Sequence, residues 1–228
     1  MIDENNVLFE DNHLLIVNKP GGVLVQADKT GDVTLAEHAK DYIKEKYNKP
    51  GDVFLGVIHR LDRPVSGAVT LARTSKALER MNKMFKEREV EKTYWAITTH
   101  RPPQTQDKLV HWLKKNQKIN KTTAFNKQVK ESKKAVLSYK LIGRIADYYL
   151  LEITLETGRP HQIRVQLAKI GCAIYGDVKY GEEKAAKDGN IYLHSRSISF
   201  NHPVRKEPVN VIAPVPAKDQ IWNLFVQG

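Results

Sequence analysis

Residues 54–72 read Phe-Leu-Gly-Val-Ile-His-Arg-Leu-Asp-Arg-Pro-Val-Ser-Gly-Ala-Val-Thr-Leu-Ala, and this stretch carries both a fold signal and a chemical one. Residues 54–58 and 68–72 are short apolar runs of strand length. Between them, residues 59–67 hold Arg60, Asp62 and Arg63 in a loop that closes on Pro64 and Gly67. Two short strands about a charged loop set the pattern for the rest of the chain.

Upstream, residues 7–9 and 14–17 are apolar strands about Asp11-Asn12, a hairpin signature, and the second ends at Lys19-Pro20-Gly21-Gly22. Residues 23–25 continue extended. Thr34 with Glu37 three residues on is a capping box, and Leu35, Ala39, Tyr42, Ile43 and Tyr47 follow at helical spacing until Asn48-Lys49-Pro50-Gly51. Thr74 or Ser75 caps a second helix striped by Leu78, Met81, Met84 and Phe85. Downstream come a strand at 94–98 and two alternating, pairable strands at 135–142 and 148–155. A helix spans 161–170, with Pro160 at its first turn and Gly171 as its stop. Strands at 191–200 and 209–212 precede a closing helix at 217–226. Residues 101–133 are polar, Lys-rich and weakly periodic, so short strands or a mobile excursion are expected there. Strands outnumber helices and come in hairpin-like runs without βαβ alternation, which predicts an α+β fold with a mixed, mainly antiparallel sheet flanked by helices. No repeat and no linker composition splits the chain, so residues 1–228 are expected to form one domain.

Charge narrows the partners. The chain has 37 Lys+Arg against 26 Asp+Glu, a net +11. From Arg73 to Arg144 there are 19 basic and 6 acidic residues, a net +13, and the remainder is 18 − 20 = −2. One stretch therefore holds the whole excess. That points to a polyanion, either nucleic acid or an anionic membrane surface, although a solvated lysine face has the same composition. A single cysteine, Cys172, rules out a disulfide framework and Cys-based metal sites, and suits a reducing compartment. The acidic start, MIDENNVLFED, is unlike a signal peptide, and no apolar run nears the ~20 residues of a membrane span. A cytoplasmic protein without membrane association is expected.

Three islands interrupt the periodic pattern. Asn18–Gly22 is a rigid turn bearing Lys19, which on its own could be only a turn. In residues 59–67 the guanidinium groups of Arg60 and Arg63 favour an ionised Asp62, a candidate nucleophile or base, and the bland alternative is a surface ion-pair cluster. Thr157-Gly158-Arg159-Pro160-His161-Gln162-Ile163-Arg164 places Gly, Arg and backbone N–H donors at a helix start, which suits an anion, and the bland alternative is a capped basic helix. The eight histidines show no H-E-x-x-H spacing, and no phosphate-binding glycine loop is present, so any chemistry falls to side chains without metal or cofactor.

Together the islands resemble a known family. His59-Arg60-Leu61-Asp62-Arg63-Pro64-Val65-Ser66-Gly67 is similar to the H-R-L-D-R-x-T-S-G signature of the RluA-type RNA pseudouridine synthases. NKPGGVLVQ resembles that family's Lys-Pro turn and KTYWAI its tyrosine strand. LETGRPHQIRVQLAKIGCAIYGDVKYG resembles its L-x-T-G-R-x-H-Q-I-R block with the following G-D-x-x-Y-G. YLHSRSISFNHP resembles its leucine–histidine strand, with Leu193 in the substrate pocket.

The resemblance implies isomerisation of uridine to pseudouridine within structured RNA, ribosomal or transfer, with no cofactor or metal and a catalytic cleft across the sheet. It assigns Asp62 as the catalytic carboxylate, Arg164 as the arginine paired with it, and Tyr94 as the tyrosine that stacks on the flipped base and offers a route for the C5 proton. Arg60 fills the gap left by the flipped nucleotide, and Lys19, Arg63, Arg159 and His161 contact RNA, while Lys114 and Lys115 are expected to do so as part of the basic stretch. Val65, Pro160, Gln166 and Gln26 depart from the family pattern without replacing a proposed catalytic residue. The first motif begins by residue 14, so no S4-type RNA-binding domain is expected ahead of it. Residues 114–134 then line the RNA path, and a monomer is expected. An RNA-binding or RNA-folding protein of the same fold acting without catalysis is the alternative, and a hydrolytic nucleosidase lacks a second motif carboxylate.

Overall fold

Eleven strands and four helices follow one another in the computed structural model, which describes residues 2–28 and 30–226. In chain order they are β1 (Val7–Glu10), β2 (Leu14–Lys19), α1 (Leu35–Lys46), β3 (Gly56–Val57), β4 (Ser66–Ala72), α2 (Ser75–Glu87), β5 (Glu91–Thr98) and β6 (Gln106–Asn116). There follow β7 (Lys121–Phe125), β8 (Lys133–Ile145), β9 (Tyr148–Leu155), α3 (Gln162–Lys169), β10 (Leu193–Asn201), β11 (Pro208–Ile212) and α4 (Gln220–Leu224). The fold class is α+β, as the strand-rich, hairpin-like sequence predicts. The chain forms two compact units, one from residues up to Lys92 with Ser195–Pro216, the other from Thr93–His194 with the segment from Ala217 on.

In the first unit β1 pairs antiparallel with β2, and β2 with β4, while β3 lies along β4 and β11 along β10. All seven residues of β4 are buried, as befits a central strand covered on both faces. Leu14, Ile16, Ala68, Ala72, Phe200, Val209 and Val211 pack beneath Ala77, Met81 and Met84 of α2. The expected capping box is present: Thr34 Oγ1 accepts Glu37 N at 3.2 Å and Glu37 Oε2 accepts Thr34 N at 2.7 Å. Of the candidates Thr74 and Ser75, Thr74 caps α2.

Two expectations change here. Of residues 54–58 only Gly56 and Val57 enter the sheet, and Gly56 packs closely on α2, where an added Cβ would lie 2.7 Å from Leu78 Cδ2. Residues 23–25 form no paired strand. The carbonyls of Leu24 and Val25 instead accept Leu35 N and Ala36 N at 2.7 and 3.3 Å, which satisfies two of the orphan donors at the start of α1.

In the second unit the strand order is β5-β9-β8-β6-β7, antiparallel throughout. Residues 101–133 contain the long strand β6 and its hairpin partner β7. Their period-2 signal is weak in the sequence because the apolar Val110 and Trp112 stand at outward positions and the polar His111 at an inward one, between Leu109 and Leu113. Helix α3 covers the inward positions, with Val165 packed on Leu113, Ala124 and Ala135. It begins at Gln162 rather than near Pro160, because His161 takes a left-handed φ of +55° and ends the preceding turn. The closing helix is shorter than 217–226 and spans Gln220–Leu224 behind an Asp219 cap.

Candidate functional site

In the first unit, the loop carrying Asp62 is held by the turn that follows β2. The β2–β4 register sets Lys19 opposite Gly67, at the two mouths of these segments. Gly67 takes φ +112°, a conformation that favours glycine, and a Cβ there would collide with the Ser195 backbone. Gly22 N donates to Arg63 O at 2.8 Å, and Arg63 Nε returns a bond to Gly22 O at 3.0 Å. Val65 N closes a turn on Asp62 O at 3.0 Å. The Lys-Pro-Gly-Gly turn and the Asp62 loop are thus stitched backbone to backbone.

Lys19 completes the stitching from beneath. Its side chain is 0% exposed, and Nζ donates to the carbonyls of Pro20, Val23 and Arg63 at 2.9, 2.8 and 3.1 Å. Those three bonds use all three donors of an ammonium group. Burial pushes its pKa down to about 7, with the nearby Asp62 charge acting to raise it and Arg63 to lower it further. The expectation that Lys19 contacts RNA is therefore corrected: it has neither exposed surface nor a spare donor, and serves as an internal peg for the loop.

The first residue of the loop is fixed as well. His59 Nε2 accepts Thr70 N from β4 at 3.0 Å, and its ring stacks on Phe85 of α2 at 4.9 Å. Burial, aided by the Lys92 charge, pushes the imidazole down to about 3, so it stays neutral and able to accept. On the outside, Arg60 is exposed, and Arg63 pairs with Asp32 at 2.9 Å. Asp62 itself is partly buried.

In the second unit Arg164 lies on α3, 6% exposed, and forms a bidentate pair with Asp177: Nε to Oδ2 at 2.7 Å and an Nη to Oδ1 at 2.8 Å. The guanidinium also sits 5.1 Å over the Tyr180 ring. Tyr180 Oη accepts Thr122 N from β7 at 2.8 Å and lies 2.6 Å from His161 Nδ1. Gln162 locks the turn before α3: its Oε1 accepts Thr157 Oγ1 and Arg159 N at 2.8 and 3.0 Å, and its Nε2 donates to Val136 O at 3.0 Å. This network over-determines the left-handed backbone at His161, the condition under which such a conformation persists.

The other expected residues of this unit are placed as follows. Tyr94 is buried on β5 opposite Ile153, and Leu193 is buried at the start of β10. Arg159 is half-buried and donates through Nε to Lys134 O at 3.2 Å. Lys114 and Lys115 lie at the hairpin end of β6, opposite Thr123 and Thr122 of β7, and Lys114 pairs with Glu131 at 2.9 Å. Three anchoring residues carry no role in the sequence reading: His59, Asp177 and Tyr180. The last two stand in the matched Gly-Asp-x-x-Tyr-Gly run, so the signal was present, but nothing local ties that run to an arginine thirteen residues earlier. Among the described residues no group of three His, Cys, Asp or Glu is clustered to hold a metal ion, and no helix is long and apolar enough to cross a membrane.

Known proteins supply an independent view. Residues 13–169 match the model of the family described as RNA pseudouridylate synthase. The chain is 32% identical to the ribosomal large subunit pseudouridine synthase C of Buchnera aphidicola subsp. Schizaphis graminum, over 92% of this chain and 67% of that protein. It is 31% identical to the ribosomal large subunit pseudouridine synthase D of Zymomonas mobilis, over 94% of this chain and 70% of that one. It thus spans about two thirds of the length of these relatives. The solved structure of human RNA pseudouridylate synthase domain containing 4 superposes with a TM-score of 0.79 at 22% identity, covering 97% of this chain and 92% of that one, a likeness of fold.

Proposed function

This chain belongs to the RNA pseudouridylate synthase family, whose members isomerise uridine in RNA, and we propose that it acts on ribosomal RNA with Asp62 as the reacting carboxylate. The choice of ribosomal over transfer RNA follows the relatives named above as ribosomal large subunit enzymes. In the reaction the N1–C1′ bond of a uridine breaks, the uracil turns, C5 bonds to C1′, the C5 proton leaves and N1 takes up a proton. The product is an isomer of the substrate, so no electrons or groups are supplied from outside.

The observation that carries the reading is the pegged loop. A carboxylate that must meet a nucleotide drawn out of its stack works best on a segment whose position is fixed before the RNA arrives. The Asp62 loop has that property through Lys19, Gly22 and His59. In this proposal Arg164, itself held by Asp177, serves as the active-site cation, Tyr94 stacks on the uracil and offers a route for the C5 proton, and Leu193 lines the base pocket. Arg60 stacks into the gap in the RNA, where a planar cation can meet bases and phosphates together. Arg63, Arg159, His161, Lys114 and Lys115 meet the RNA backbone, with residues 114–134 along its path.

The test is tritium release from RNA labelled at uracil C5. The wild type releases tritium from ribosomal RNA lacking its pseudouridines, and Asp62→Asn slows release by on the order of 10³-fold or more, the scale for loss of an essential nucleophile. Release by Asp62→Asn at the wild-type rate overturns the role of Asp62. No release by wild type from ribosomal RNA, with release from transfer RNA, overturns the choice of substrate.

A further inference from the structure

The β6–β7–β8 sheet has a second face, and its composition does not fit a plain solvated surface. Inward positions 109, 111 and 113 of β6 are covered, and the outward ones are Lys108, Val110, Trp112 and Lys114. The registers place Trp112 between Phe125 on β7 and Lys134 on β8, so Phe125, Trp112 and Lys134 form one row across three strands. Strands about 4.8 Å apart make that row roughly 10 Å wide, the span of a nucleobase with its sugar. In the neighbouring rows stand Val110 beside Val136, where the face is already covered and Val136 is buried, and Lys114 beside Thr123. Val110 remains 38% exposed, and Trp112 and Phe125 are half-buried.

Aromatic rings on an open sheet face cost solubility and invite pairing, so their retention among lysines points to an occupant. Charge selects which. Residues 106–145 hold 11 Lys and Arg against two acidic residues, Asp107 and Glu131. A second copy of this chain would set like charge against like charge, whereas a polyanion meets it favourably. Two lysines bordering the row are paired, Lys108 with Glu156 at 2.6 Å and Lys114 with Glu131 at 2.9 Å, but all four side chains are well exposed and such pairs exchange for phosphate at little cost. Lys134 has no acidic partner among the described residues.

We propose that this outer face extends the RNA path with a base-stacking platform, on which Trp112 and Phe125 stack unpaired bases of a single-stranded segment while Lys134, Lys114 and Lys108 hold its phosphates. It rests on the reading of RNA as the substrate and extends it: the inward side of this unit carries α3 and Arg164, so the outward side would grip a strand flanking the target. Bases stack on aromatic side chains with little sequence preference, so the surface supplies affinity and leaves the choice of uridine to the rest of the protein.

The experiment measures binding of a fluorescein-labelled, unstructured 12-nucleotide RNA to the full chain by anisotropy, in the Asp62→Asn background so that turnover plays no part. Trp112→Ala is expected to weaken binding about ten-fold and Trp112→Phe less than three-fold, with the salt dependence unchanged in both, because stacking releases no counterions. Lys134→Ala is expected to reduce the slope of log affinity against log salt by about 0.7. Circular dichroism and melting of Trp112→Ala separate loss of a contact from loss of the fold, and the Lys134→Ala slope stands if Trp112→Ala does not fold. No binding by the parent protein, equal binding by folded Trp112→Ala, or a change of oligomeric state with Trp112→Ala and unchanged RNA affinity each overturns the surface. None of these outcomes bears on whether Asp62 is catalytic.

Discussion

Lys19 and Arg164 are both nearly sealed from solvent, 0% and 6% exposed, and each anchors one unit's share of the proposed chemistry, yet they are satisfied in opposite ways. Lys19 has three neutral carbonyls and no carboxylate within its hydrogen-bond set. Arg164 has the two oxygens of Asp177 in fork geometry. A carbonyl cage suits a compact ammonium whose task is to gather backbone from three places. A bidentate carboxylate suits a planar guanidinium whose orientation must be fixed. One cation organises a loop and the other is itself the thing organised.

The most severe way to break the comparison is to remove the carboxylate on the Arg164 side. Asp177→Ala strips both bonds from a buried guanidinium, and losing one partner of a buried pair costs about 3–5 kcal/mol. Urea unfolding at neutral pH should show a loss on that scale. A loss below about 1 kcal/mol would mean that Tyr180 and the remaining contacts of Arg164 hold it without Asp177.

Removing the cation on the other side should cost less. Lys19→Met keeps the apolar stem and deletes three bonds to carbonyls that stay partly paired, since Arg63 O still accepts Gly22 N. At roughly 1 kcal/mol per lost bond the expected destabilisation is about 2–3 kcal/mol. The loop should also open to proteolysis between residues 59 and 67. An unaltered cleavage pattern would show that the backbone stitching alone fixes it.

The two cations also differ in how they answer pH. Arg164 stays protonated throughout the accessible range. Lys19 has a folded pKa lowered to about 7, while the unfolded chain keeps the ordinary value near 10.5. Between those values the unfolded state binds more protons, so stability rises with pH in that window, and below about 7 Lys19 contributes no slope. From pH 7.0 to 8.5 the wild type should gain about 1.5 kcal/mol relative to Lys19→Met, read as the difference between two urea titrations. Parallel pH curves would show that Lys19 stays charged in its cage across that range.

The same contrast explains what the sequence discloses. The hairpins, the Thr34 capping box, the Thr74 cap and the paired strands β8 and β9 were legible because each rests on residues a few positions apart. The β6–β7 hairpin was blurred because apolar Val110 and Trp112 stand at outward positions and polar His111 at an inward one, which breaks a plain alternation. Lys19 was misread as an RNA contact because a lysine beside Pro-Gly-Gly looks exposed in one dimension. Only the register of β2 with β4 brings Arg63 O, 44 residues away, over its ammonium group. Asp177 was overlooked for the same reason, since its partner lies across a helix and a turn. Positions are legible in the sequence where the partner is local, and opaque where a sheet or a helix supplies it.

Lys114 shows a third way to satisfy a cation, and it marks the small end of the scale. Its partner Glu131 is 70% exposed and Lys114 itself 42%, so water competes for both groups and the pair is screened by salt. Glu131→Gln should therefore change stability by less than about 0.5 kcal/mol, an order of magnitude below Asp177→Ala. If residues 114–134 line the RNA path, the same substitution frees Lys114 for phosphate and removes a repelling charge. RNA affinity should then rise about two-fold at low salt and converge with wild type at high salt. Measured together, the melting curve and the salt titration distinguish a pair that supports the fold from one that only occupies a lysine until RNA arrives. A stability loss above about 1 kcal/mol, or an affinity that falls, would place Lys114 with the anchored cations instead of the docking ones.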